Sequence, residues 1–154
     1  MQEHKFSFYP ITEEAALEIA CNLREDDYKE IVEGYGEDPI KVIPEYALGC
    51  EVCEYFTAPN GKIGGLAGIY DDGMIWMLCT PAITEYPVTF ARTAKKWLAK
   101  HESDHFLWNV ADKRNTVHLK LLEFLGFSFL REVKHGPNKL TFIEFCKWTQ
   151  LELD

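Results

Sequence analysis

The stretch that most restricts how this chain can fold is residues 108–129, WNVADKRNTVHLKLLEFLGFSF. Residues 105–110 (HFLWNV) are aromatic and branched, which suits a strand. Four polar residues, Asp112 to Asn115, then break the pattern. Apolar positions at 117, 119, 121, 122, 124 and 125 predict a helix buried over a wide face. Gly126 stops that helix in the left-handed conformation that glycine adopts at least cost. Phe127, Phe129 and Val133 continue as a strand. Asn115 stands at the helix N-cap, where its side chain is expected to bond a free backbone N–H.

The chain before this unit reads as a strand, helices, three strands and a helix. Residues 5–9 alternate around Phe6 and Phe8. Thr12, followed by Glu13 and Glu14, caps a first helix with the apolar stripe Ala15, Ala16, Ile19, Ala20 and Leu23. A second helix restarts at Arg24, runs through Ile31 and Val32 and ends near Gly34 and Gly36. Asp38-Pro39 opens a third that continues to Gly49 despite Pro44. Strands over 50–57, 63–70 and 74–79 make an antiparallel meander, turned at Asn60-Gly61 and Asp72-Gly73. Residues 74–79 are apolar throughout and predict a central strand. A long helix over 84–100 carries Val88, Ala91, Ala94, Trp97 and Leu98 on one face and a basic row (Arg92, Lys95, Lys96, Lys100) on another. Residues 139–148 supply the last strand. Helices segregated from a mostly antiparallel sheet define an α+β fold, and residues 1–154 read as one domain.

Bulk properties narrow the function. At 47% hydrophobic and 14% aromatic residues, the chain has enough apolar material for a packed core. No apolar run approaches a membrane span, and MQEHKFSFYP is not the start of a secretion signal, so the expectation is an intracellular or particle-enclosed protein. The five cysteines (21, 50, 53, 79 and 146) are then expected to be reduced and structural. Cys50-Glu51-Val52-Cys53 lacks the second ligand pair of a zinc site and the helix start of a redox motif. The net charge of −9 is concentrated in residues 1–60, where 14 acids face 4 bases, against 11 acids and 12 bases in residues 61–154. An acidic front half disfavours nucleic acid and suits a solvated surface, a basic partner or a cationic substrate.

Asn115, then Leu121-Leu122-Glu123-Phe124-Leu125-Gly126-Phe127 and a strand, resembles the last sequence block of the GNAT N-acetyltransferases, and the order of elements is similar too. With Arg114-Asn115 and the later His135-Gly136-Pro137, the chain is more closely similar to a small GNAT-like family of T7-like and other tailed phages. That resemblance implies a GNAT-like, mostly antiparallel sheet flanked by helices, and a role in virion assembly or in binding a phage or host protein. It would place the protein in the host cytoplasm or the virion interior.

The resemblance also implies where acetyl-CoA or another acyl-CoA would bind. In the acetyltransferases a glycine-rich loop after the fourth strand offers N–H groups to the pyrophosphate. Here that loop is Thr80-Pro81-Ala82-Ile83-Thr84-Glu85, with no glycine, one proline and an acid. Cys79, Thr80, Ala82, Ile83, Thr84 and Asn115 are the residues that would contact the cofactor. The general base that family often carries on the fourth strand has no counterpart in 74–79, and the position of its proton-donating tyrosine is Leu122. His135, in a turn, is the candidate replacement base. His118, Glu54 and Tyr55 are lesser ones, and Cys79 is expected to be a buried thiol rather than a nucleophile. Two functions follow: a GNAT-fold binding protein with a degenerate acyl-CoA site, or an N-acyltransferase acting on an amine.

Overall fold

The computed structural model describes residues 5–102 and 106–148. Strand β1 (Ser7–Pro10) leads to α1 (Glu13–Cys21), α2 (Glu25–Lys29) and a π-helical turn (Glu30–Tyr35), then α3 (Pro39–Gly49). The meander β2 (Val52–Thr57), β3 (Ile63–Ile69) and β4 (Ile75–Cys79) follows. A 3₁₀ turn (Pro81–Glu85) precedes α4 (Pro87–His101), and β5 (Phe106–Asp112), α5 (Thr116–Phe124), β6 (Ser128–His135) and β7 (Leu140–Trp148) complete the chain. Among the described residues, no helix is long and apolar enough to cross a membrane.

Local chemistry sets most boundaries. The Thr12 side chain accepts the Ala15 N–H, and Asp38 accepts the Ile40 N–H just before Pro39. Gly126 has φ 92°, and α5 ends there as its sequence requires. Three elements start two or more residues later than their sequences suggest, the first being β1, at Ser7 rather than residue 5. Cys50 caps α3, so β2 begins at Val52. Residues 81–85 form a 3₁₀ turn, so α4 waits for Pro87, and Phe90 rather than the exposed Val88 faces the core. The α5 face is also narrower than the apolar spacing predicts: Leu122 is buried, but Val117 and Phe124 are exposed. His105, the expected first residue of β5, lies outside the described residues.

The strands form two sheets, β1-β2-β3-β4 and β5-β7-β6, antiparallel within each. One face of the first sheet packs Leu66 and Leu78 against Ile19, Ile31 and Ile43 of the N-terminal helices. The opposite face packs Ala67 and Ile69 against Trp97, Leu98 and Leu122 of α4 and α5. Strand β4 is therefore covered on both faces, as its unbroken apolar sequence requires. It is nevertheless an edge strand of its sheet. Its link to β5 is a single parallel bridge, Met74 to Trp108, beyond which the two strands splay into a V.

Candidate functional site

The V leaves backbone groups of β4 to be accounted for. Met74 and Thr80 bond back to β3, through the Tyr70 N–H to the Met74 carbonyl (2.9 Å) and the Thr80 N–H to the Gly64 carbonyl (2.9 Å). The alternation of an antiparallel ladder then turns the N–H and C=O of Ile75, Met77 and Cys79 toward β5. Each meets a different fate. The Ile75 carbonyl accepts from Asn109 Nδ2 at 2.8 Å, while Asn109 Oδ1 takes the Val110 N–H at 2.7 Å, so one side chain replaces a rung of the ladder. The Met77 N–H and C=O have no partner among the described residues. The Cys79 N–H goes to Asp27 Oδ2 at 3.0 Å, and its carbonyl accepts the Arg24 N–H at 2.8 Å.

The wide end of the V is thus filled by the start of α2 and the turn that follows. Asp27 is 1% exposed; its second oxygen accepts Asn115 Nδ2 at 2.8 Å, and Arg24 pairs with it at 3.2 Å. Glu30, also buried, accepts the Asp112 N–H at 2.7 Å. Loss of hydration pushes the Glu30 carboxyl up to about 8, an effect that the Asp112 N–H offsets only in part. Asp112 in turn holds the Arg114 guanidinium at 2.8 Å, and Arg114 reaches Glu33 at 2.7 Å. Asn115 occupies the N-cap position of α5, but its side chain makes no capping bond. It donates to Asp27 instead, and its Oδ1 is buried with no partner among the described residues. A hydrogen bond to a buried carboxylate is stronger than a neutral capping bond to a helix N–H, and the side chain turns toward the carboxylate.

The loop after β4 spends its donors on itself. Thr80 is buried, and its hydroxyl accepts the Ala82 N–H at 3.2 Å while donating to the Ile63 carbonyl at 2.7 Å. The Ile83 N–H points to the Thr80 carbonyl at 3.4 Å, and the Ile83 side chain is in the core. Thr84 donates its hydroxyl to the Pro81 carbonyl at 2.6 Å, and Glu85 accepts from Asn60 at 3.3 Å. The Cys79 thiol is buried and its pKa is well above the ordinary value, chiefly through loss of hydration.

In front of the open Met77 window lies a cavity of about 570 Å³, bounded by β4, β5, the π-helical turn and the end of β6. His135 lines it, but not as an exposed loop residue. It ends β6, half-buried against Tyr35 (ring centroids 4.5 Å) and Phe142 (4.6 Å), and burial lowers its pKa. Those two rings take the imidazole out of water because the β6–β7 turn folds back onto residues 34–36, with the Asn138 amide bonded to the Glu33 carbonyl at 3.0 Å. His118 also reaches the cavity, and loss of hydration lowers its pKa. Glu54 and Tyr55 do not reach it: Glu54 accepts the Trp97 indole N–H at 2.9 Å, and Tyr55 packs on Tyr9. Leu122 is core. The structure therefore brings Cys79, Asn115 and His118 to the V and His135 to its cavity, and leaves the Ala82 and Ile83 N–H groups and the Thr84 hydroxyl bonded within their own turn.

Arg24, Asp27, Glu30 and Asn109 were not singled out by the sequence. A signal existed. Asp27 and Glu30 share a helical face with Leu23, Ile31 and Gly34, so two acids sit on a stripe that must be buried, and buried acids require partners.

Solved structures similar in fold to this chain include acetyltransferases. A spermidine N-acetyltransferase from Vibrio cholerae, solved with CoA and spermine, superposes with a TM-score of 0.66 at 12% identity, covering 94% of this chain and 96% of that one. A GNAT-family acetyltransferase from Bacillus anthracis gives 0.65 at 14% identity, covering 96% and 97%. A ribosomal-protein-S5-alanine acetyltransferase from Vibrio fischeri gives 0.64 at 15% identity, covering 98% and 97%. No family model and no curated protein matches the sequence. At these identities the likeness is one of architecture: the chain has the GNAT acetyltransferase fold, a mostly antiparallel α+β arrangement.

Proposed function

We propose that this chain is a GNAT-fold binding protein whose acyl-CoA groove is closed from within. The observation that carries this reading is the pair of hydrogen bonds at Cys79: Asp27 accepts its N–H, and the Arg24 backbone N–H donates to its C=O. An acyl-CoA arm entering between two splayed strands has the free edge of β4 to pair with, and that edge is occupied from Cys79 onward. The diphosphate fits no better. Pro81 has no N–H, the N–H groups of Ala82 and Ile83 are bonded to Thr80, and Glu85 is an acid at the same turn. A role in phage assembly, or against a phage or host protein, is supported by the Arg114-Asn115, Leu-Gly-Phe and His135-Gly136-Pro137 features of the sequence. The test is a calorimetric titration with acetyl-CoA at moderate salt. No heat of binding up to millimolar cofactor is expected, and micromolar affinity overturns the reading.

One observation favours the alternative, an N-acyltransferase using an acyl-CoA and an amine. Among the described residues the Met77 N–H and C=O and the buried Asn115 Oδ1 lack partners, and the cavity that Met77 lines also holds a carboxyl of raised pKa. Under this alternative the same titration gives saturable binding, and Asn115→Ala weakens it.

A further inference from the structure

The cavity in front of Met77 is walled by aromatic rings from five parts of the chain: Tyr35, Tyr46, Tyr70, Trp76 and Trp108. At about 570 Å³ it has the size of small-molecule sites, which span ~300–1,000 Å³. The polar ends of four of these rings are already committed. The Tyr46 hydroxyl bonds the Glu37 carboxylate, and the Tyr70 hydroxyl donates to the Tyr46 carbonyl at 3.0 Å. The Trp76 indole N–H donates to Cys50 Sγ at 3.1 Å, and the Trp108 indole N–H donates to the Asp72 carbonyl at 3.1 Å. The rings are therefore fixed in place, and what they leave for a ligand is carbon and π-electrons.

The charge around them has one sign. Asp71 and Asp72 line the cavity beside Glu30, whose raised pKa keeps it mostly protonated at neutral pH, and among the described residues no lysine or arginine does. Burial lowers the pKa of His118 and His135, which favours their uncharged forms. An anion meets acids and no cation. A primary ammonium carries three N–H donors that need acceptors once water is lost, and the Tyr46 and Tyr70 hydroxyls are already engaged in hydrogen bonds of their own. Asp71 and Asp72 are exposed, so they hold such a group at the mouth rather than among the rings. A fully methylated ammonium has no N–H to satisfy, is weakly hydrated, and is attracted by aromatic faces and by net negative charge alone.

We infer that the aromatic cavity between β4 and β5 binds a trimethylammonium group, carried either by a small choline-like molecule or by a trimethylated lysine side chain. Such a nitrogen has no proton to lose and cannot accept an acyl group, so the inference goes beyond the closed-groove reading and does not depend on it.

The test is a titration of the full chain, without acyl-CoA, followed by tryptophan fluorescence. The probes are tetramethylammonium, choline, a trimethyllysine peptide, methylammonium and 3,3-dimethylbutanol, the uncharged isostere of choline. Saturable quenching is expected from the first three, with affinity at least about tenfold above the last two. Trp108→Leu, checked for native circular dichroism, loses that preference, and Tyr70→Leu replaces it if the first variant is unfolded. A tighter fit for the peptide than for choline assigns the lysine side chain; the reverse order assigns the small molecule. Equal binding of methylammonium or of the neutral isostere overturns the inference, as does the absence of saturation through the millimolar range. Acetyl-CoA binding in the calorimeter would overturn the closed groove and leave this inference standing.

Discussion

Asp27 and Asn115, 88 residues apart in sequence, meet inside the protein with the Asn115 amide donating to the Asp27 carboxylate at 2.8 Å. The contact ties α2 to the start of α5 across the wide end of the V. Asp27 also takes the Cys79 N–H, so one carboxylate joins β4 and the start of α5 to the N-terminal helices. Removing it leaves two buried donors without their acceptor and the Arg24 guanidinium with Asp26 alone, at 3.8 Å. Asp27→Ala should therefore cost about 3–5 kcal/mol, the range for breaking a buried ion pair. Urea unfolding of Asp27→Ala, Asn115→Ala and the double variant gives the coupling energy. A value within ~0.5–3 kcal/mol is expected for a direct bond, and additive losses would show that the two residues act separately.

Glu30 makes stability depend on pH in an unusual direction. Its carboxyl is raised to about 8 in the fold and returns to an ordinary value near 4.5 when unfolded. Between those values the native state holds a proton that the unfolded state has released, so stability falls as pH rises. The contribution is complete below the unfolded value and is lost as pH passes through about 8. His118 and His135 act oppositely, since their lowered values make the unfolded state the more protonated one near and below pH 6.5. The window to read is therefore from about pH 7.5 to 8, at least one unit above 6.5, where the histidines are nearly all neutral in both states. Glu30→Gln keeps an acceptor for the Asp112 N–H and should flatten the slope there. An unchanged slope in the variant assigns the pH dependence to another group.

Asn109 holds the narrow end of the V. Its amide donates to the Ile75 carbonyl at 2.8 Å and its oxygen accepts the Val110 N–H at 2.7 Å. Asn109→Ala should cost about 1–3 kcal/mol, because a partly buried donor and acceptor lose their partners together. Hydrogen exchange locates the effect. The Trp108 N–H, bonded to the Gly73 carbonyl beside this bridge, should exchange faster, while the Thr80 N–H in the β3–β4 pairing should not.

Features set by neighbours in sequence were legible. Thr12 and Asp38 cap their helices, Asn60-Gly61 turns its hairpin, and Gly126 stops α5, because each rule operates within three or four residues. The V was hidden because an apolar strand looks the same whether its edge pairs with a strand or with a side chain: residues 74–79 revealed two covered faces and nothing about the edge. Asn115 was legible by position and not by role. Its partner lies in an acidic run that resembles a solvated surface until Asp27 is placed on the same helical face as Ile31. His135 was assigned to solvent because the Gly136-Pro137 turn beside it gave no sign that the turn folds back onto Gly34 and Gly36.

That docking yields a controlled comparison of two glycines. Gly136 and Gly61 both have φ in the left-handed region, 73° and 83°, where any other residue is strained by roughly 1–2 kcal/mol. Around Gly61 there is open space, so Gly61→Ala should cost about that strain and no more. A Cβ on Gly136 would stand 1.8 Å from the Gly34 carbonyl oxygen, closer than any contact allows. The β6–β7 turn must then lift from the π-helical turn, giving up the Asn138 bond to the Glu33 carbonyl and the packing of Pro137 on Gly36. Gly136→Ala should therefore lose clearly more stability than Gly61→Ala. It should also release the His135 ring from Tyr35, moving its pKa back up toward 6.5 as its burial is relieved. Thermal unfolding of both variants, with an NMR titration of His135, tests the two consequences together. Equal losses and an unmoved histidine would mean that the turn accommodates a methyl group without leaving its seat.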